Sequence, residues 1–204
     1  MAVELQNTGR RERRRLAVRG RVLEASWALF EEQGYDDTPV AQICERADIA
    51  YGTFFNHFSG KQEVLRMMAD GVMTALEEKL EELSKQQGTI EDHLVLLLEG
   101  NVREHESDER LRRDLLGRIY SIAYAESPED RDRRYHAAFE RYIEESVARG
   151  RVRDDTSIET LADIVASVVG SFSLSRVHFE DFPIRKRARD AARLLADSLE
   201  PRSS

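Results

Sequence analysis

The chain reads as an all-α protein of about nine helices. Apolar residues recur at three- and four-residue spacing along most of its 204 residues, the mark of helices with one buried face. The periodic stretches open on Ser, Thr or Pro and close on Gly, which are helix start and stop signals. No run alternates apolar and polar residues as a half-buried strand would, and there is no internal repeat or low-complexity tract.

Taken in order, the first helix begins about the middle of an arginine-rich segment, carries Val22, Leu23, Ala25, Leu29 and Phe30, and stops at Gln33 before Gly34. Thr38-Pro39 opens the second: a hydroxyl suits the N-cap, and proline's missing N–H costs nothing at the first helical position. Val40, Ile43, Cys44 and Ala47 stripe that helix, and Asp48-Ile49-Ala50 breaks it. A third helix spans Tyr51 to Phe58, with Phe54 and Phe58 four apart as its anchor. Tyr51, Thr53, Phe55, Asn56 and His57 are left on other faces.

Ser59-x-x-Gln62 is a capping-box pattern opening a fourth helix that runs to about Lys85, before Gly88. Thr89 caps a fifth ending near Glu106, Ser107 starts a sixth reaching Ala125, and Ser127-Pro128 starts a seventh that Gly150 terminates. Thr156-x-x-Glu159 opens an eighth to about Phe179, and Pro183 precedes a ninth from Ile184 to about Leu199.

Two short helices joined by so tight a turn match the helix-turn-helix pattern, whose second helix enters the major groove. The residues that carry it, Thr38, Ile43, Cys44, Ala47, Asp48, Ile49, Ala50, Gly52, Thr53, Phe54, Phe55, His57, Phe58 and Lys61, resemble the TetR family of bacterial transcriptional regulators. The likeness covers about 45 residues, including the preceding helix up to Gly34-Tyr35. It implies a three-helix DNA-binding head on a helical ligand-binding and dimerisation body, here residues 1–60 and 61–204. Three residues depart from the family pattern. Asp48 stands for the turn glycine, Ala50 for a serine that would cap the recognition helix, and Phe55 for a tyrosine whose hydroxyl usually meets a phosphate. Loss of the cap costs about 0.5–2 kcal/mol locally.

The partner implied is a palindromic double-stranded operator read by a homodimer, with half-sites about 34–36 Å or somewhat more apart. Thr38, Tyr51 and Lys61 are expected on phosphates, Gln42, Thr53 and Asn56 on base edges or bridging waters, and Tyr51 also on thymine methyls. Ala50 and Phe55 are the other DNA-binding positions that the resemblance implies, and His57 can donate to a phosphate. The formal net charge is −8 and the pI about 5.3, which argues against nucleic acid until the distribution is seen. Between Gly9 and Arg21 seven arginines, Arg14, Arg15 and Arg19 among them, face one acid, Glu12. Such an arm neutralises phosphates or enters a minor groove.

Length bounds the rest: a 23.5 kDa chain has room for a small domain fused to a larger one. The single Cys44 excludes an intramolecular disulfide framework. With no signal-peptide pattern, and apolar runs such as 164–170 too short for a bilayer, it fits a soluble cytoplasmic protein without membrane association.

In the eighth and ninth helices, Leu161, Ile164, Val165, Val168 and Phe172, with Ala191, Leu195 and Leu199, are expected at a two-fold dimer interface. The family body implies a small-molecule effector, for which Met68, Val72, His93, Leu97, Leu116, Tyr120, Tyr124, Phe139, Tyr142 and His178 are the candidate lining; each also reads as an ordinary core position. No cofactor or metal is implied. An enzyme finds little support: there is no phosphate-cradling Gly-rich loop, no Gly-x-Ser-x-Gly elbow, and no histidine with a glutamate three residues before it. The competing class is a helical small-molecule carrier that ignores specific DNA.

Overall fold

The computed structural model describes the backbone of residues 2–100, 109–125, 128–179 and 182–201, with most of their side chains. Among the described residues there are nine α-helices and no strand: α1 (Ala2–Gln33), α2 (Val40–Arg46), α3 (Tyr51–Phe55), α4 (Lys61–Lys85), α5 (Ile90–Glu99), α6 (Glu109–Ala125), α7 (Pro128–Ala148), α8 (Ile158–His178) and α9 (Ile184–Leu199). They form two compact units. Met1–Asp70 and Glu106–Ile122 make the first, and Gly71–His105 and Ala123–Ser204 the second.

In the first unit, Val22, Phe30, Ile43, Phe54, Phe58, Val64, Leu115 and Ile119 are buried. Phe54 and Phe58 stack with ring centroids 5.3 Å apart, as expected of the anchoring face. In the second, α5 packs on α9, and α8 lies between α7 and α9. Leu94 and Leu98 of α5, Phe139, Tyr142 and Ile143 of α7 and Leu161 and Val165 of α8 join one cluster with Ala188, Ala192 and Ala196 of α9. The alanines recur every four residues, so α9 presents a shallow stripe against which α5 can come close.

Several helix ends differ from the sequence expectation. α1 starts at Ala2 rather than within the arm, because the segment contains no proline and its Glu12–Arg15 pair, 3.8 Å apart, supports a helical turn. The N-cap of α2 is Pro39, with no side-chain cap, since the Thr38 hydroxyl donates backwards to Gly34 O at 2.6 Å. α3 stops at Phe55, although Phe58 N still reaches Phe54 O at 2.9 Å. At the start of α4 the reciprocal acid is Glu63, not Gln62: its Oε2 accepts from Ser59 N at 2.5 Å.

The Thr89 cap of α5 is present as a capping box with Asp92. That helix ends at Glu99 rather than Glu106 because Gly100 takes φ 61°, a left-handed turn that glycine adopts without strain. The starts expected at Ser107 and Ser127 lie outside the described residues. α7 gives way to Gly150 at φ 68°, and Ser157, not Thr156, caps α8 by accepting from Thr160 N. α8 is 21 residues long and holds an 18-residue window of mean hydropathy 1.4, long and apolar enough to cross a membrane by composition, which its short runs did not suggest. Its Leu161, Ala162, Val165, Ala166 and Val169 are nonetheless buried in the core of the second unit.

Candidate nucleic-acid interface

The turn between α2 and α3 is built by hydrogen bonds at the end of α2. Asp48 N donates to Glu45 O at 3.1 Å, and Ile49 N to Cys44 O at 3.0 Å. This pair of bonds is the Schellman pattern, in which the residue after the C-cap adopts the left-handed conformation. Asp48 does so, with φ 50°. Cys44 is buried behind the turn, and burial pushes its thiol above the ordinary range. Ala50 is the exposed N-cap of α3 and offers no side-chain cap. The helix is held by backbone alone, Thr53 N donating to Ala50 O at 2.8 Å.

With Phe54 wholly buried, α3 turns Tyr51, Phe55 and Asn56 to the outside, while Thr53 and His57 are half-buried. Tyr51 and Phe55 retain 57% and 46% exposure, and their rings lie 5.1 Å apart. Gln42 on α2 is exposed as well, its Oε1 held by Gln33 Nε2 at 2.6 Å. Gln42, Ala50, Tyr51, Phe55 and Asn56 thus form the outer edge that the sequence expected. Nδ1 of His57 is buried without a hydrogen-bond partner among the described residues.

Three positions expected on phosphates are engaged inside the first unit instead. Thr38 is fully buried, its hydroxyl also accepting from Gln33 Nε2 at 3.2 Å. Lys61 Nζ donates to Tyr35 O at 2.6 Å and Thr38 O at 2.7 Å and stands 4.5 Å from the Tyr35 ring centre. Burial holds its pKa below the ordinary lysine value. Arg19 donates to Met67 Sδ at 3.0 Å, lies 3.8 Å from Glu63 and covers the Phe58 ring at 5.5 Å. These three side chains fix the loop between α1 and α2 and the start of α4. Arg14 and Arg15 are exposed on a helical arm.

A contributor that sequence reading missed is α6. Its Arg118 binds Asp36 at 2.6 Å and sits 5.1 Å from the Tyr35 ring, so two cations lie against Tyr35. No local spacing could announce a contact spanning 82 residues.

The ligand candidates divide between the units. Met68, Leu116 and Tyr120 belong to the first; Val72, His93, Leu97, Phe139, Tyr142 and His178 belong to the second; the Tyr124 side chain lies outside the described residues. Of these, His93 and Tyr142 meet, Nδ1 to hydroxyl at 3.1 Å, both buried. Burial, then Arg151, holds the His93 imidazole below its ordinary value, and burial pushes the Tyr142 phenol up to about 12. His178 is exposed at the end of α8, and His136 binds Asp163 at 2.7 Å. A cleft of about 360 Å³ opens between α8 and α9 beside Phe172, Arg187, Asp190 and Ala191, away from those candidates.

Of the interface candidates, Leu161, Val165 and Leu199 are buried in the subunit's own core and cannot face a partner. Their neighbours along α8 and α9 are more accessible, though Val168, Phe172, Ala191 and Leu195 still pack against that core. Ile164 is 45% exposed, and Val168, Phe172, Ala191 and Leu195 are half-buried. Leu174 and Leu194, the latter 73% exposed, extend this face and were not among the sequence candidates.

Comparison with known proteins agrees with this geometry. Residues 22–68 match the model of the bacterial regulatory proteins of the tetR family. Over 56 residues, 28% of this chain, the sequence is 39% identical to the HTH-type transcriptional regulator TcmR of Streptomyces glaucescens, of which it covers 25%. The stretches matched span between 25% and 40% of the length of the curated relatives. A TetR-family transcriptional regulator from Pectobacterium atrosepticum shares the fold with a TM-score of 0.70 at 20% identity, over 92% of this chain and 96% of that one. The transcriptional regulator FadR of Bacillus subtilis, solved in complex with stearoyl-CoA, does so with a TM-score of 0.53 at 15% identity, over 88% and 98%. The helix-turn-helix that residues 22–68 build is thus of the kind found in the bacterial regulatory proteins of the tetR family.

Proposed function

We propose that the chain is a sequence-specific DNA-binding transcriptional regulator, acting in the cytoplasm as a homodimeric repressor of nearby genes and released from a palindromic operator by a small, mostly apolar ligand. The observation that carries this reading is the outer edge of α2 and α3. Gln42, Ala50, Tyr51, Phe55 and Asn56 are exposed together on a helix pair held rigid by the Phe54–Phe58 stack and the Lys61 clamp. A site on supported elements positions its side chains better than one on a loop. The exposed arginines of α1 supply the phosphate attraction that the net charge of −8 otherwise denies.

Dimerisation is supported by the exposed Ile164 and Leu194, with the half-buried Val168, Phe172 and Leu195, apolar surface that a second copy would cover by two-fold symmetry. An apolar effector is supported by the stearoyl-CoA bound to the FadR relative. α4 runs unbroken from one unit into the other, so a ligand with different affinity for two settings of that helix shifts operator affinity.

A mobility-shift titration against the DNA upstream of the gene tests the reading. Saturable, salt-sensitive binding to one palindrome is expected, relieved by an effector for which long-chain acyl-CoA is the first probe. Weak binding that ignores sequence would overturn it and favour the carrier. In sedimentation, Ile164→Asp with Leu194→Asp is expected to convert dimer to monomer; a wild-type monomer would refute the two-fold arrangement.

A further inference from the structure

We propose that His93, Tyr142 and Arg151 form a pH-sensitive latch over the carboxyl end of α4, closed while the His93 imidazole is neutral and opened at the turn 86–89 once it takes up a proton. The inference concerns the second unit alone and stands apart from the DNA-binding reading.

Three segments meet at this point. His93 of α5 is buried, and its Nδ1 lies 3.1 Å from the hydroxyl of the equally buried Tyr142 on α7. Arg151, in the connection after α7, donates through Nη1 to Gln86 O at 3.1 Å and through Nη2 to Ser84 O at 2.8 Å. It thereby takes up carbonyls that the end of a helix leaves without an internal partner. Over the imidazole the turn comes so close that a Cβ at Gly88 would stand 3.2 Å from Nε2. Gly88 also has φ 146°, so a residue without a side chain is needed there on both counts. Residues 85–89 are exposed, and they are the thin cover of a buried titratable group.

The cluster suits the neutral ring. Burial pushes the Tyr142 phenol up to about 12, so it keeps its proton through the neutral range and can donate to Nδ1. A protonated ring must place two N–H groups, yet Nε2 has no well-formed hydrogen bond among the described residues. It would also set a second cation near Arg151, whose own Nε is buried without a partner. Like charges in a buried site disfavour the charged form. Burial, Arg151 and Lys79 of α4 oppose the proton and prevail over Asp92 of α5 and the Gln87 carbonyl, which favour it. The cations that α9 brings to α5, Arg189 and Arg193, pair with Glu99 and Glu91 at 3.7 and 3.9 Å. Hydrogen bonds from Thr89 hold the Asp92 carboxyl below its ordinary range, so the cap of α5 does not titrate in the same window. The proton therefore enters when the turn lifts and water reaches the ring. Opening frees the far end of α4, the helix that continues into the first unit.

The test takes the full chain from about pH 7.5 to 5.5. Two quantities are read: the titration of the His93 ring by NMR, and amide exchange, corrected for its intrinsic pH dependence, at Gln86, Thr89 and Arg151. Those N–H groups are bonded to Glu82 O, Asp92 Oδ2 and Ser146 O. With an open-state midpoint at the ordinary histidine value and a closed one below it, opening is expected to rise by up to about tenfold over that range. Ile49 and its neighbours in the first unit should keep their protection. His93→Gln should abolish the rise, and Arg151→Met should move the His93 midpoint upward. Unchanged protection at the three amides, a His93 midpoint at or above the ordinary value, or a rise that persists in folded His93→Gln would each overturn the latch. Simultaneous loss of protection throughout the second unit would do so too, because it reports global unfolding and not a lifted turn. The wild-type titration requires no variant to fold.

Discussion

Asp48 stands at φ 50° in the position after the C-cap of α2, where the two bonds from Asp48 N and Ile49 N close the helix. A residue with a Cβ loses about 1–2 kcal/mol in the left-handed region, aspartate falling at the low end because its short polar side chain tolerates that backbone. Glycine there removes the penalty but gives up about 0.5–1 kcal/mol of backbone entropy on folding. The Arg21–Asp48 ion pair, 3.9 Å long on a fully exposed carboxylate, adds little to the balance.

Asp48→Gly is therefore expected to be neutral to stabilising, by up to about 1 kcal/mol. Asp48→Val, β-branched and without a local hydrogen bond, should destabilise by about 1–2 kcal/mol. For a chain of this size each kcal/mol moves the thermal midpoint by about 2–4 °C. Because two compact units need not melt together, the sharper assay is amide exchange at Ile49, whose bond to Cys44 O reports the turn itself. Exchange there should be slower in the glycine variant and faster in the valine variant than in wild type. Faster exchange in the glycine variant, with valine unchanged, would refute the assignment of the turn and with it the placement of α3.

Phe54→Ala removes one ring of the buried stack and should cost about 3–5 kcal/mol, abolishing DNA binding while the helicity of the second unit persists in circular dichroism; a loss under about 1 kcal/mol would contradict the packing described. Lys61→Met should weaken operator binding through disorder of the loop between α1 and α2, and leave the slope of log affinity against log salt unchanged; a slope smaller by about 0.9 would mean that Lys61 neutralises a phosphate. For His93 the sign follows from a folded pKa held below the ordinary 6.5. The unfolded chain takes up the proton first, so this contribution to stability is complete above pH 6.5 and is lost as the pH falls from there to the folded value. Urea midpoints between about pH 7.5 and 5 should decline in wild type and decline less in His93→Gln; equal slopes would place the proton elsewhere.

From the sequence by itself came much of what depends on a few neighbouring residues: nine helical segments, the Asp48 turn, the Phe54–Phe58 anchor, and the outer edge of Gln42, Tyr51, Phe55 and Asn56, though the caps expected at Thr38, Gln62 and Thr156 fell to other groups. Those features follow from spacing along one helix, because residues three and four apart share a face wherever that helix lies. Tertiary structure decided what spacing cannot carry. Thr38, Lys61 and Arg19 have side chains suited to phosphates, yet their partners are carbonyls, a thioether and a ring from 4 to 48 residues away. Arg118 reaches Asp36 across 82 residues. In α8 the whole apolar set looked like an interface, and only packing against α7 and α9 sorted the buried Leu161 and Val165 from the exposed Ile164. Periodicity tells that a face is apolar; which neighbour covers it depends on how distant segments meet.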